Sequence, residues 1–361
     1  MRCRTLLLTL IVLVVALVAV ASAQKGAPPS TVLKLGTVVF PTSCSGAAQA
    51  KFVRGVALLH SFWFDAAAAA FTDAAKTDPT CGIAWWGVAM TALGNPLAAP
   101  PSPRALLEGR AAVDRARGAG VWVPRERDYI EAIALVYTDT DRLDHRTRLL
   151  AYAKAMEALA AKYPADREAS IFHALALDAT ALPGDKTYAN QLRAAGILER
   201  IFAEQPQHPG VAHYIIHSYD YPPIAEKGLD AARRYAAIAP SAPHALHMPS
   251  HIFTRRGYWK ESIDANRASA RAAKDAGNRL HALDYLAYAH LQRAEDAEAR
   301  KVLEEARGLG APKEEYLAVP FALAAIPARY AAIAPSAPHA LHMPSHIFTR
   351  RGYWKESIDA N

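Results

Sequence analysis

The sequence predicts an all-α protein built from helix-turn-helix repeats, and three observations support this. Alanine-rich amphipathic segments follow one another from Ala47 onward. The alternating β-branched patterns typical of strands are nearly absent, and the breaks between segments fall at Pro or Gly. The breaks also recur, since Pro206 and Pro240 stand 34 residues apart. A period of this length indicates a repeat architecture.

The segment from Gly55 to Pro79 indicates the type of repeat. Gly55 is followed twelve positions later by Ala67, and then come Phe71, Ala74 and the closing Asp-Pro pair. In a tetratricopeptide repeat (TPR), small and aromatic residues stand at such positions because the two helices touch there. The closing proline stops the second helix.

Counting Pro79 as position 32 of a 34-residue unit gives a register for the rest of the chain. Pro164, Pro206 and Pro240 take the same position, each after an alanine-rich segment. Two further units are marked by Gly257, Trp259 and Ser262 and by Ala299, Leu303 and Ala306. Such repeats bury their cores only between neighbours. We therefore expect one right-handed superhelix, a TPR-like α-solenoid, over residues 44–328.

The N-terminus has the pattern of a secretory signal peptide. Two arginines precede an apolar run, and the small residues Ala-Ser-Ala at 21–23 end it. We expect cleavage after residue 23, an extended leader over residues 24–43, and a periplasmic or extracellular protein without a stable membrane span. An uncleaved anchor is the alternative, because the apolar run approaches the ~17 residues that can span a bilayer.

Cysteine usage agrees with export. Cys3 would leave with the signal peptide, so Cys44 and Cys81 remain. They flank one predicted helical hairpin, whose outer ends lie close together, and an oxidising compartment favours pairing. We predict a Cys44–Cys81 disulfide; two buried free thiols are the alternative.

Charge and motifs exclude several functions. The formal net charge of +7 comes partly from the N-terminal arginines and the C-terminal tail, and no basic stripe indicates nucleic-acid binding. The sequence has no nucleophile elbow, phosphate-binding glycine loop or haem-attachment motif. A serine or cysteine hydrolase is therefore not expected.

The C-terminal tail is unusual, because residues 329–361 repeat residues 234–266 without a difference. Genuine repeats diverge, and the offset of 95 residues is not a multiple of 34. A solenoid also needs a polar capping repeat, and the copy ends without one. We interpret the tail as chimeric or truncated; an intact genomic duplication is the alternative.

Histidines recur at matching repeat positions. His213 and His217 stand four residues apart, and His247 and His251 form the same pair one repeat later. Residues four apart share one helix face. In a TPR stack the first helix of each repeat lines the concave groove, at positions 2, 5, 9 and 12. On this register the groove would also present His60, Asp220, His244, His281, Asp284 and Tyr288.

Three interpretations of these histidines stay open: a metal site, a polar recognition groove, and structural residues. Imidazole and carboxylate groups are ligands of zinc or copper, and we predict His213, His217, Asp220, His247 and His251 as candidate metal ligands. The remaining groove residues, His60, His244, His281, Asp284 and Tyr288, would contact a ligand. The HYIIH and HMPSH segments lack the Glu of HExxH, so no general base is visible and no reaction is predicted. Pro249 should kink the helix between His247 and His251.

Several strings resemble a family of exported bacterial TPR proteins of undetermined activity. They are FPTSC, GVALLHSFWF, DPTCGIAWWGVAM, GDKTYANQ, HPGVAHYIIHSYDYPP, APHALHMPSHIF and LHALDYLAYA, within about Phe40 to Tyr330. The resemblance implies a helical-repeat fold, export, and pairing of Cys44 with Cys81, and it implies no reaction. We therefore expect an exported binding protein that recognises a protein, peptide or small ligand. The alternative is a metal-binding protein or metal-dependent enzyme that uses the histidines.

Overall fold

The computed structural model describes residues 32–120 and 123–309, and every regular element in these ranges is helical. The α-helices of these ranges are, in chain order, α1 (Gly46–His60), α2 (Phe64–Thr77), α3 (Gly82–Leu93), α4 (Pro103–Gly118), α5 (Pro124–Tyr137), α6 (His145–Lys162), α7 (Arg167–Ala179), α8 (Ala189–Glu204), α9 (Pro209–Tyr219), α10 (Leu229–Ile238), α11 (Pro243–His247), α12 (Pro249–Arg256), α13 (Trp259–Ala272), α14 (Ala276–Gln292) and α15 (Asp296–Arg307). A short 3₁₀ turn, Ala225–Gly228, precedes α10. The predicted signal peptide and the copied tail lie outside the described residues.

The helices pack as successive helix-turn-helix units, which confirms the predicted all-α, TPR-like solenoid. The predicted register agrees with the helix ends. The helices α2, α6, α8 and α10 each end two residues before the prolines at positions 79, 164, 206 and 240. Proline has no N–H to continue a helix and biases the preceding residue away from helical geometry.

Phe71 of α2 shows how the first three helices approach one another. Its ring lies against Gly55 of α1 and Gly87 of α3. A Cβ atom would come within 2.7 Å of the ring at Gly55 and within 2.3 Å at Gly87. Glycine is required at both positions because any side chain would separate the helices.

The extended leader takes part in the core. Its described residues, 32–43, contain no helix, and Phe40 is buried. The Phe40 ring lies 5.1 Å from Phe52, 5.6 Å from Trp86 and 5.0 Å from Tyr129, measured between ring centroids. Burial of such rings is among the largest apolar contributions available to a fold.

The part of the leader from Lys34 to Phe40, which we call the N-terminal strap, also reaches later repeats. The Lys34 backbone N–H donates to Ser241 Oγ at 2.9 Å, and the Ser241 N–H donates to Lys34 O at 3.2 Å. The Thr37 N–H donates to Gln207 O at 2.9 Å. The strap therefore joins the first repeats to repeats more than 160 residues later in the chain.

Cys44 and Cys81 lie at disulfide distance, with their Cα atoms 4.8 Å apart, in agreement with the predicted pairing. The two residues stand just before α1 and α3. Within the described ranges, no helix combines the length and apolar character needed to cross a membrane.

Four helices carry the histidine pairs and their neighbours: α9, α11, α12 and α14. The expected interruption at Pro249 is present, since α11 ends at His247 and α12 begins at Pro249. Gly257 ends α12 in the left-handed region, at φ 72°, where glycine is favoured. The short α11 keeps His247 directly beside the first turn of α12.

Candidate functional site

Six histidines converge in two groups of three. We call His213, His217 and His244 the first triad, and His247, His251 and His281 the second triad. Within each triad, one ring nitrogen per histidine lies within 4.8 Å of the other two. The structure thus joins the two predicted HxxxH pairs with His244 and His281, which the sequence placed in the same groove.

Hydrogen bonding in the first triad fixes the tautomer of His213. Its Nδ1–H donates to the backbone oxygen of His60 at 2.6 Å, so its Nε2 carries a lone pair. His217 Nε2 lies 3.0 Å from this nitrogen and His244 Nε2 lies 3.2 Å from it. One lone pair cannot serve two hydrogen-bond donors well. The three Nε2 atoms lie close enough together that they could hold one cation.

In the second triad, too, histidine Nδ1 atoms are engaged by protein acceptors and Nε2 atoms lie close together. The Asn266 amide nitrogen donates to Ser262 O at 2.8 Å, so its Oδ1 faces His247 and accepts from His247 Nδ1–H at 2.6 Å. His251 Nδ1–H donates to Asp220 Oδ2 at 2.7 Å. With both Nδ1 atoms engaged, the Nε2 atoms of His247 and His251 face each other at 2.9 Å.

The two triads are neighbours. The ring centroids of His244 and His247 are 5.8 Å apart, and those of His217 and His251 are 5.9 Å apart. The ring centroid of His281 lies 4.2 Å from that of His247 and 6.2 Å from that of His244. The six rings therefore form one histidine cluster.

The environment keeps most of these imidazoles neutral. Burial, reinforced by the neighbouring histidines, lowers the pKa of His213, His244 and His247 well below the ordinary value of 6.5. The same causes lower the pKa of His217 to about 3 and that of His281 to about 4. Neutral imidazole is the form that binds metal ions.

Asp220, a candidate metal ligand in the sequence analysis, is a hydrogen-bond partner of His251 in the structure. It is not among the converging ligand atoms; its carboxylate accepts from His251 Nδ1 and, at 2.8 Å, from Arg255 Nε. Burial alone would raise the pKa of Asp220, but His251 and Arg255 together lower it. The carboxylate therefore orients His251 and fixes its tautomer.

His60 does not line the groove as the register suggested, because it is completely buried. Its Nε2–H donates to Glu168 Oε2 at 2.8 Å, and its Nδ1 accepts from Tyr214 O–H at 3.0 Å. His208 Nε2–H donates to the other oxygen of Glu168 at 2.8 Å, and His208 Nδ1 accepts from the Val211 N–H at 3.3 Å. Every ring nitrogen of this group has a protein partner. We therefore assign it a structural role.

Cavities adjoin the histidine cluster on its exposed edges. Asp284 and Tyr288 line a cavity of about 330 Å³ together with His251, Arg255 and Tyr285. Tyr288 is 37% exposed, and the centroid of its ring lies 5.9 Å from that of Trp259. A larger cavity of about 600 Å³ reaches His217 and Asp220. Ligands of small-molecule size fit cavities of these volumes.

Residues that support the histidine cluster were missing from the sequence prediction. Asn266 fixes His247, while Glu168 and His208 hold His60, whose backbone oxygen in turn fixes His213. The spacing of His208 before the HYIIH segment gave no indication of a partner 40 residues upstream. Asn266 and Glu168 have no distinguishing local pattern.

Together, the fold and the site define a TPR-like helical-repeat protein with a six-histidine cluster. No protein-family model matches the chain, and no curated protein matches it. Among solved structures, it is similar to a human IFIT1 dimer with PPP-AAAA, with 14% identity, a TM-score of 0.50, and coverage of 87% of this chain and 71% of that chain. This similarity supports the fold.

Two further structures have lower scores. The APC/C hetero-tetramer Cut9-Hcn1 has 13% identity and a TM-score of 0.37, covering 89% of this chain and 68% of that one. Naa15/Naa10 bound to HypK-THB has 15% identity and a TM-score of 0.31, covering 84% of this chain and 63% of that one.

Proposed function

We propose that the protein binds two first-row transition-metal ions, one at each histidine triad. The observation that carries this proposal is the contact between His247 and His251. Their Nε2 atoms lie 2.9 Å apart although the Nδ1 protons of both rings are donated to acceptors. Two lone pairs repel at this distance unless a cation lies between them, and either a metal ion or a proton on His251 fills that position.

The nitrogen separations fit a metal ion. Zinc binds imidazole nitrogen at about 2.0–2.1 Å, so two nitrogens on one tetrahedral ion are roughly 3.3 Å apart. The closest nitrogen pairs of the triads are 2.9, 3.0 and 3.2 Å apart. Small outward movements of the rings would complete the coordination. Neutral imidazole suits zinc and copper, the two metals that we favour.

The hydrogen-bond partners of the histidine Nδ1 atoms also support metal binding. Metal-bound histidines commonly donate the other ring N–H to a carboxylate or carbonyl oxygen. Here His213 donates to the His60 backbone oxygen, His247 to Asn266 Oδ1 and His251 to Asp220 Oδ2. In each case the acceptor leaves Nε2, the nitrogen nearest its triad neighbours, free to bind a cation.

Three protein ligands per ion leave a coordination position for water or an added ligand, as in catalytic zinc sites. The cavity beside His217 and the cavity beside His251 give such a ligand access. These cavities favour a second candidate function, recognition of a peptide or small ligand in the groove. We assign metal binding without assigning a reaction, because no general base accompanies the histidines in the HxxxH segments.

Elemental analysis by plasma mass spectrometry tests the proposal on the full chain without a histidine tag, after dialysis against zinc or copper and then against buffer. We expect about two ions per chain. The double variant His213→Ala, His217→Ala and the double variant His247→Ala, His281→Ala should each retain about one.

Two control variants test whether metal is lost only when histidines of the triads are removed. The variant His173→Ala, His290→Ala removes two histidines outside the triads and should retain both ions. His342→Ala, His346→Ala alters the second copy of the HMPSH string, in the tail, and should also retain both. Metal-free wild-type protein after dialysis would refute the metal proposal and leave ligand recognition.

A further inference from the structure

The larger cavity, of about 600 Å³, is bounded by the loop after α3, the start of α6, and the connection from α7 to α8. It extends to His217 at the edge of the histidine cluster. Neither the repeat fold nor the proposed metal site requires the polar side chains at its far end. They need an explanation of their own.

Three residues that line this cavity each have a buried polar side-chain atom without a hydrogen-bond partner in the part of the chain that the structure describes. The atoms are His145 Nδ1, Asp178 Oδ1 and Gln191 Oε1. Folded proteins pair nearly all buried polar atoms, because an unpaired one has lost its hydrogen bonds to water without replacement. Three such atoms around one cavity indicate that a ligand supplies their partners.

Gln191 presents an oriented acceptor. Its side chain is only 3% exposed, and its amide nitrogen donates to Tyr221 Oη at 3.2 Å. This bond fixes the amide so that Oε1 is the atom left for a ligand. A donor on the ligand, such as a hydroxyl group, would satisfy it.

Asp178 presents a second acceptor. Ser218 Oγ has a single proton but lies 2.6 Å from Asp178 Oδ2 and 2.8 Å from the Tyr214 backbone oxygen. Both hydrogen bonds form when Asp178 is protonated and donates to Ser218 Oγ. Burial raises the pKa of Asp178 well above its ordinary value, which agrees with a protonated carboxyl. Asp178 Oδ1 is then a neutral, carbonyl-like acceptor.

The cavity walls add flat apolar surface. The rings of Tyr188 and Tyr221 lie 5.0 Å apart and both line the cavity, with Pro96 and Leu182 nearby. Tyr188 has φ 55°, an uncommon conformation for a residue other than glycine. Such conformations concentrate at functional sites, where the surrounding structure holds them.

We propose that this cavity binds a neutral, polyhydroxylated small molecule of the size of a mono- or disaccharide. Its hydroxyl groups would donate to Gln191 Oε1 and Asp178 Oδ1, and a third would pair with His145 Nδ1. The tyrosine rings would pack against the C–H faces of the ligand. The lining does not select a charged ligand, because the basic residues Arg146, Lys186 and Arg255 and the acidic residues Asp185 and Asp220 line the same cavity.

This inference goes beyond the proposed metal site and does not depend on it. The test is saturation-transfer NMR followed by calorimetric titration on the full chain. The probes are glucose, N-acetylglucosamine, maltose and sorbitol, with putrescine and a blocked alanine tripeptide as competitors of other chemistry. We expect at least one of the four neutral polyols to bind. Gln191→Leu and Asp178→Leu should each weaken binding at least tenfold.

Matched variants keep the result interpretable. Asp178→Asn retains an acceptor oxygen and a donor to Ser218, so it should retain affinity within threefold. His145→Phe, at a partly exposed position, should weaken binding while the protein stays folded by circular dichroism. The metal content of every sample is measured, and His247→Ala, His281→Ala should lose one of the two metal ions and retain the polyol.

Three outcomes would overturn the inference. They are absence of binding by all four polyols, binding of putrescine or the tripeptide in their place, and unchanged polyol affinity in folded Gln191→Leu protein. None of these outcomes affects the metal stoichiometry. The two proposals can therefore fail separately.

Discussion

Gly210 lies directly against the imidazole of His60: a Cβ at residue 210 would lie 2.3 Å from His60 Nδ1. The ring cannot move aside easily, because Tyr214 and Glu168 hold its two nitrogens. Close approach of α9 to the end of α1 therefore depends on the absence of a side chain at residue 210. The same approach lets the His60 backbone oxygen reach His213 of the first triad.

Gly210→Ala should lower the free energy of unfolding by about 2 kcal/mol, the usual cost of overpacking a buried contact. Urea denaturation followed by circular dichroism measures the change. Gly196→Ala is the matched control, since a Cβ at residue 196 of α8 would meet no atom of another element within 4 Å among the described residues. The control should gain up to about 1 kcal/mol, because alanine restricts the unfolded chain. Equal effects of the two substitutions would contradict the assigned contact.

Glu168→Gln should destabilise the protein by about 3 kcal/mol at pH 7, because its amide N–H₂ would face a histidine N–H. Burial would raise the pKa of Glu168, but His60 and His208 outweigh it and lower the pKa to about 2 from its ordinary 4.5. The folded state therefore binds fewer protons than the unfolded state between these values. The carboxylate's contribution is complete above pH 5 and declines as the pH falls toward 2.

The difference in unfolding free energy between wild type and Glu168→Gln should accordingly shrink between pH 7 and pH 3. Urea denaturation at several pH values measures it. Glu131→Gln removes an exposed ion pair with Arg117 and should change stability by no more than about 1 kcal/mol. A difference for Glu168→Gln that stays constant with pH would show that the carboxylate is not ionised in the fold.

Asp220→Asn should weaken metal binding roughly 10- to 100-fold, the usual effect of removing the carboxylate that accepts a hydrogen bond from a metal-binding histidine. The amide is a weaker acceptor for His251 Nδ1–H and loses the charge that attracts Arg255. Competition with a chromophoric chelator measures the affinity. Asp230→Asn, at an exposed ion pair with Arg234, is the control and should leave the affinity unchanged. Wild-type affinity in Asp220→Asn would remove Asp220 from the site.

Asp178→Asn should be more stable than the wild-type protein at pH 7 and about as stable as the wild type at pH 4. Burial raises the pKa of Asp178, so the folded state retains a proton that the unfolded state releases above about pH 4. Stability is therefore lost as the pH rises, and asparagine removes this loss because it does not titrate. Thermal unfolding at the two pH values tests the sign, with the exposed Asp141→Asn as control. A less stable variant at pH 7 would indicate an ionised Asp178.

The repeat periodicity was sufficient to predict the fold and the main histidine positions. Proline at position 32 of the unit located four helix ends, and the i, i+4 spacing placed His213 beside His217 and His247 beside His251. These relationships depend on contacts within a helix or between adjacent repeats. Local sequence determines such contacts in a solenoid.

The errors concern contacts between distant repeats. His60 is 148 residues before His208, and their shared partner Glu168 lies between them in the chain. A repeat register gives no information on which side chains meet across that separation. The sequence could not predict the unpaired atoms of Asp178 and Gln191 either, because only the three-dimensional surroundings show that a buried atom lacks a partner.

The N-terminal strap has a consequence for the order of assembly during synthesis. Simple solenoids can add repeats as they leave the ribosome, since each repeat needs only its neighbour. Here Lys34 bonds to Ser241, a partner synthesised 207 residues later. The strap contacts of the first repeats can therefore form only after residue 241 has left the ribosome. Until then these repeats lack their strap contacts, and the newly synthesised chain is more exposed to chaperones and proteases.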